Sequence, residues 1–224
     1  MSPWLGRRWY DVVYWSSFLS FTFGWSLRVI GRRNMPKRGP VLVIANHQSF
    51  FDPVLCGLVS RRYLSFMART SLFKNPMVAG LIRSLGAFPI DNRGLGREGL
   101  QLTIELLNQG QCVLVFPEGE RTFNGEIQPF MPGISLLIRR VKAPIIPIGI
   151  AGVYDAFPRE TKLPHLAPLF LPPWAGTMGI SIGKPIDPAP FAKMDREEML
   201  AKLFGAVKEE WTKADQIRRQ RRGE

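Results

Sequence analysis

Val41–Ala45 and the stretches 112–116 and 145–150 carry no polar side chain at any position, rather than at alternate ones. A strand with one wet face alternates apolar and polar residues, whereas a strand apolar throughout has to be covered on both sides. Such stretches demand a sheet enclosed by helices. Shorter apolar runs at 64–67, 87–90 and 178–182 supply further strands, and the intervening segments 53–60, 72–84, 96–108 and 133–141 read as helices. A last helix over 195–217 carries Leu200, Leu203, Phe204, Val207 and Trp211 at helical spacing, one apolar face for the core or a membrane. The pattern predicts a single α/β domain with a mixed, mostly parallel sheet covered by helices. A chain of 224 residues is long enough for one such core, and no repeat, linker or low-complexity stretch divides it.

Ahead of this domain, taken as 36–224, stands an appendage over 1–35. Residues 12–27 carry no charge and are rich in aromatic residues, with Arg7, Arg8, Arg32, Arg33, Lys37 and Arg38 on their flanks. As a helix this stretch is about 24 Å long, short of the roughly 30 Å hydrocarbon core of a bilayer. It is expected to lie in one leaflet, with aromatic residues in the interfacial zone and arginines on anionic headgroups. Ser16, Ser20 and Gly24 would form a small-residue stripe open to another helix. The alternative is an amphipathic helix docked on the protein's own core.

The formal net charge of +12 implies an anionic partner: a membrane surface, a phosphate-bearing substrate or nucleic acid. No nucleic-acid motif accompanies that charge, so a lipid surface with no nucleic acid is the expected partner. Cys56 and Cys112 lie in apolar runs and are expected to be free buried thiols of a reducing compartment.

His47 is one of only two histidines and follows directly on Val41–Ala45, in the run Asn46-His47-Gln48-Ser49-Phe50-Phe51-Asp52. Residues five apart on a helix point about 140° away from each other, so Asp52 meets the imidazole only across a turn. Asp52-Pro53 has the form of a helix start, which makes Asp52 a candidate N-cap as well as a partner for His47. A carboxylate on one imidazole nitrogen raises the basicity of the other, which makes His47 a candidate general base at neutral pH. With His165 the only other histidine and no cysteine pair at ligand spacing, a metal site is not expected. A second run, Phe116-Pro117-Glu118-Gly119-Glu120-Arg121-Thr122, follows a buried strand and places Arg121 where a guanidinium suits a phosphate. A third, Arg83-Ser84-Leu85-Gly86-Ala87-Phe88-Pro89-Ile90-Asp91-Asn92-Arg93, puts basic residues on both sides of a short strand.

These three runs, followed by Ala143-Pro144-Ile145-Ile146-Pro147-Ile148, resemble the four ordered blocks of the glycerolipid acyltransferase family, the 1-acylglycerol-3-phosphate acyltransferases and their relatives. The likeness spans roughly residues 37 to 185. It implies acyl transfer from acyl-CoA or acyl carrier protein, as co-substrate and with no cofactor, to a lysoglycerolipid hydroxyl, most simply that of 1-acylglycerol-3-phosphate. It implies work at the cytoplasmic face of the cytoplasmic membrane, His47 and Asp52 as the catalytic pair, and acceptor binding by Glu118, Gly119 and Arg121.

Two departures bear on the acceptor. Asn92 stands where the second block usually ends in arginine, and Arg93 follows one residue later; one residue can turn a side chain to the other side of a strand. Arg83 matches a basic position of the same block and is its natural substitute, so Arg83 and Arg93 are both candidate phosphate ligands. Glu120 replaces a smaller residue and adds a negative charge near the expected phosphate, which keeps another lysolipid open as the alternative acceptor. Outside acyl transfer, the same His47 and Asp52 could release a lipid thioester to water, and the charge alone would serve a module that binds anionic membranes or nucleic acid.

Overall fold

The computed structural model describes residues 3–90, 96–161, 163–170, 172–174 and 176–220. Helix α1 (Pro3–Trp25) leads into β1 (Arg28–Ile30) and β2 (Val41–Ala45); α2 (Asp52–Ser60), β3 (Leu64–Arg69), α3 (Pro76–Ser84), β4 (Ala87–Ile90), α4 (Arg97–Asn108) and β5 (Cys112–Val115) follow. The chain continues through α5 (Gly133–Ile138), β6 (Ile145–Ala151), α6 (Val153–Ala156) and β7 (Gly179–Ile182) to α7 (Arg196–Arg219). The strands form one sheet in the order β1-β7-β6-β2-β5-β3-β4, parallel throughout except between β6 and β7. This is the α/β domain with a mixed, mostly parallel sheet that the apolar runs predict.

The uninterrupted runs sit where both faces are covered. Val41, Val43 and Ala45 of β2 point into a core layer shared with Leu55, Cys56 and Val59 of α2, whereas Leu42 and Ile44 point into the opposite layer with Leu137, Leu203 and Val207. Helix α7 crosses β6 and β7 so closely that a Cβ on Gly149 would lie 2.0 Å from the Trp211 nitrogen, and one on Gly179 2.1 Å from the Ala214 carbonyl oxygen. Only glycine admits that approach. Cys56 and Cys112 are buried and free.

Local structure departs from the sequence reading at several ends. Strand β1, three residues beginning with an arginine, is too short and too charged to announce itself, yet it pairs in parallel with β7. Helix α3 starts at Pro76 rather than at 72, because the Asn75 side chain accepts the amides of Met77 and Val78 and a 3-10 turn occupies Thr70–Phe73. Helix α5 stops at Ile138, and the four-residue α6 follows Gly152 in the left-handed region.

Helix α1 takes in the uncharged stretch as far as Trp25 and turns Tyr14, Phe18, Phe21 and Trp25 onto the core layer, with Tyr14 donating to the Leu58 carbonyl of α2. On this side it is the docked helix of the alternative reading. Ser16 and Ser20 are exposed, and a Cβ on Gly24 would meet Leu166 of a loop, so the small-residue stripe receives no helix among the described residues. No helix of the described residues is long and apolar enough to cross a membrane.

Candidate active site

Parallel strands β2 and β5 are neighbours, so the turn after one and the loop after the other meet at the carboxyl edge of the sheet, where α/β folds open a crevice. Asn46 fixes the start of the turn by a two-way pairing with the backbone of Ile150, at 2.9 and 2.8 Å. His47 follows, and its Nδ1 lies 2.7 Å from Oδ2 of Asp52. The same Oδ2 accepts the amides of Gln48 at 2.5 Å and Ser49 at 2.7 Å. Asp52 therefore reaches backward to close the turn instead of capping α2: Phe51 occupies the cap position, and no side chain caps that helix end. Its other oxygen, Oδ1, is buried without a hydrogen-bond partner. Because an ionised carboxylate only accepts, Nδ1 carries the proton and Nε2 is left as the basic nitrogen. The Phe116 ring stacks on the imidazole, centroids 3.9 Å apart and planes 12° from parallel, which covers one face of the base.

Glu118 has a different place from the one expected of an acceptor ligand. It is buried, one oxygen accepting the His47 amide at 2.8 Å and the other the Gln128 amide at 3.0 Å. With Thr122 donating its amide to the His47 carbonyl, it staples the β5 loop to the β2 turn. Burial pushes the Glu118 carboxyl up to about 8, against the two backbone amides and with the charge of Asp52. Since the native state then holds its proton to higher pH than the unfolded chain, this contribution to stability is complete below about 4.5 and is lost as pH rises through about 8. Glu118→Gln should flatten that slope. Its amide group also turns a donor toward a backbone donor, which should cost about 1–3 kcal/mol; urea melts of both proteins across this pH range are the check.

His47, Gly119, Glu120 and Arg121 line a cleft of about 310 Å³. Its wall is apolar: Val54 of α2, Phe66 of β3, Ile82 of α3, and Leu72, Leu85 and Phe116 from connecting segments. The helices after Pro53 and Asn75 thus both contribute to it. At one end Arg121 lies 3.6 Å over the Phe50 ring. Arg69, at the carboxyl end of β3, and Arg159, after α6, line the same end and flank the Glu120 carboxylate at 3.8 and 3.3 Å. Three arginines thus stand against one glutamate, and the added acid is absorbed by ion pairs. Burial lowers the pKa of Arg121, Arg159 and Arg69 press the same way, and Asp52 opposes them; an anion placed among them would relieve that repulsion.

Sequence alone does not single out Arg69 and Arg159, although Arg69 ends a strand at the edge that carries His47. Arg83 does not line the cleft; its guanidinium lies 5.1 Å over the Phe73 ring. Arg93 and Asn92 lie outside the described residues. The amides of His47, Gln48 and Ser49 are committed to Glu118 and Asp52, which removes them as donors to an oxyanion.

A family model described as Acyltransferase matches residues 26–151. The chain is 29% identical over 196 residues to the 1-acyl-sn-glycerol-3-phosphate acyltransferase of Bacillus subtilis, covering 85% of this chain and 91% of that one. It is 30% identical over 145 residues to the human 1-acyl-sn-glycerol-3-phosphate acyltransferase beta, covering 62% of this chain and 50% of that one. Among solved structures, the 1-acyl-sn-glycerophosphate acyltransferase PlsC of Thermotoga maritima shares the fold with a TM-score of 0.76 at 24% identity, over 99% of this chain and 85% of that one. The chain belongs to the acyltransferase family.

Proposed function

We propose that the protein transfers a fatty acyl group from acyl-CoA or acyl carrier protein to the free hydroxyl of 1-acylglycerol-3-phosphate, giving phosphatidate for phospholipid synthesis at the cytoplasmic face of a membrane. The observation that carries this reading is the placement of His47, held through Nδ1 by Asp52, on an apolar cleft that ends in three arginines. Nε2 removes the proton of the acceptor hydroxyl as the oxygen attacks the thioester carbonyl, and the Asp52 carboxylate stabilises the imidazolium that forms. Collapse of the tetrahedral intermediate breaks the C–S bond, and the imidazolium gives its proton to the departing thiolate, which restores the base. The thiolate needs little acid assistance to leave, so one histidine suffices, with no protein nucleophile and no cofactor.

The apolar wall accepts an acyl chain, and the arginine end accepts the acceptor's phosphate, because a guanidinium forms paired charge-assisted hydrogen bonds with phosphate oxygens. With Glu120 already paired to Arg69 and Arg159, the cluster keeps a formal excess of positive charge. That balance favours the phosphomonoester over other lysolipids. In a panel of lysolipids given with labelled acyl-CoA, label should enter phosphatidate in preference to products without a phosphomonoester; equal use of the whole panel would contradict the reading. Arg121→Ala should raise the KM for the acceptor by about tenfold or more, the worth of a charge-assisted contact, with less effect on the donor KM. An unchanged acceptor KM in initial-rate measurements would remove Arg121 from that role.

A further inference from the structure

Two glutamates stand on the loop after β5 in opposite situations. Glu118 is buried and uses both oxygens on backbone amides. Glu120, two residues on, lines the cleft with its side chain 36% exposed, and it meets its partners through a single oxygen. Arg159 Nη1 donates to that Oε2 at 3.3 Å, and Arg69 Nη2 stands 3.8 Å from it. Neither pair is the two-point contact that a guanidinium can make with a carboxylate. Ion pairs this long and this open to solvent are weak.

The arginines do not depend on Glu120 for their places. Arg159 Nη1 also donates to the Arg121 carbonyl at 3.3 Å, and its guanidinium lies 4.3 Å over the Phe123 ring. Arg121 rests on Phe50, and Arg69 ends a strand, its backbone in register with Ile90 of β4. A carboxylate that neither staples the loop nor fixes the guanidiniums is held only by their charge, and a better anion can take its position. Phosphate is such an anion, because its oxygens pair with guanidinium edges two at a time. In the reading above, acceptor and product carry the same phosphomonoester, so arginines that gripped the one tightly would grip the other equally. Binding that is the same before and after the chemistry lowers KM without raising kcat, and it slows release of the product. A weakly held internal anion moderates both.

We propose that Glu120 is a resident counter-ion of the phosphate site: its carboxylate sits on Arg69 and Arg159 until a phosphate displaces it toward solvent, and its return helps the product leave. The exchange requires only that the arginine end bind phosphate. Its part in turnover rests on the acyltransfer reading above.

The test is equilibrium binding of two soluble probes, followed by phosphorus NMR at about pH 8, where a phosphomonoester carries two charges and a diester one. Glycerol 3-phosphate is the monoester and glycerophosphoglycerol the diester. The proteins are the native chain, Glu120→Gln and Glu120→Ser, the last with no group long enough to reach either guanidinium. Displacing the carboxylate costs the same whichever anion arrives. Both variants should therefore bind both probes about fivefold more tightly, the upper worth of a partly exposed ion pair, and by the same factor for each. A Glu120 that stayed in place and only repelled the ligand would let the dianion gain more than the monoanion. A Glu120 that clamped the arginines would leave both variants binding more weakly. Either of those results, unchanged binding, or no binding of glycerol 3-phosphate by any of the three proteins overturns the exchange. The side chain is partly exposed, so the thermal transition should move little. In initial-rate measurements the KM for 1-acylglycerol-3-phosphate and the inhibition constant of phosphatidate should fall together in both variants, and a KM that fell alone would contradict the role in product release. Probe binding needs no turnover, so absence of acyl transfer would count against the enzymatic reading and leave the exchange standing.

Discussion

His47→Ala is expected to lower acyl transfer by about 10³-fold or more while the protein stays folded. Positioned proton transfer contributes typically 10²–10⁴ in rate, and no other described residue on the cleft offers a neutral base, since its remaining titratable groups are arginines and the ion-paired Glu120. The substitution removes the imidazole stack on Phe116 and one of three donors to Asp52 Oδ2, but the amides of Gln48 and Ser49 still hold that oxygen. The structural cost should therefore be about 1–2 kcal/mol, visible as a small fall in Tm and not as unfolding. Initial rates at saturating donor and acceptor, with a thermal melt of the same preparation, separate the two effects. Near-normal turnover would remove His47 from the chemistry.

Asp52→Asn should have the second largest effect, about 10²–10⁴ in kcat, for two reasons that act together. The carboxamide carries no charge to stabilise an imidazolium, and its nitrogen is a donor. The new side chain could place its oxygen where Oδ2 accepts three hydrogen bonds, but the NH₂ group would then fill the position of Oδ1, which is buried and has no partner. The opposite rotamer would face a donor toward the imidazole and favour the wrong tautomer. Alanine at this position is the less informative change, because it leaves three buried donors unpaired at about 1–3 kcal/mol each and threatens the turn itself. The asparagine variant should melt as a folded protein and turn over slowly, and recovery of full kcat by that variant would show that the carboxylate's charge is not used.

The layering of the fold is legible in the sequence because β2, β5 and β6 are apolar on every residue, and only enclosure on both faces satisfies such strands. The meeting of His47 and Asp52 is legible too, once a turn replaces helical spacing. How they meet is not. Asp52-Pro53 has the form of a helix cap, and the carboxylate's actual work, closing the turn through Gln48 and Ser49, depends on backbone directions that residue types do not encode. The motif places Glu118 among acceptor ligands, yet a buried carboxyl group held between two backbone amides is a staple, and burial is a property of the assembled fold. Arg69 and Arg159 escape notice because they come from segments 90 residues apart that only the strand order brings to one edge. Glu120 reads as an obstacle to a phosphate for the same reason: its partners are remote in sequence.

The central claim is that His47 directs an acyl group to a lipid hydroxyl rather than to water. The most direct measurement gives the purified protein acyl-CoA labelled in its acyl group, with and without 1-acylglycerol-3-phosphate, and separates phosphatidate from free fatty acid. The expected result is label in phosphatidate, dependent on the acceptor and lost in His47→Ala, with little fatty acid in either case. Fatty acid released at the same rate whether or not the acceptor is present would contradict it and make the protein a thioester hydrolase.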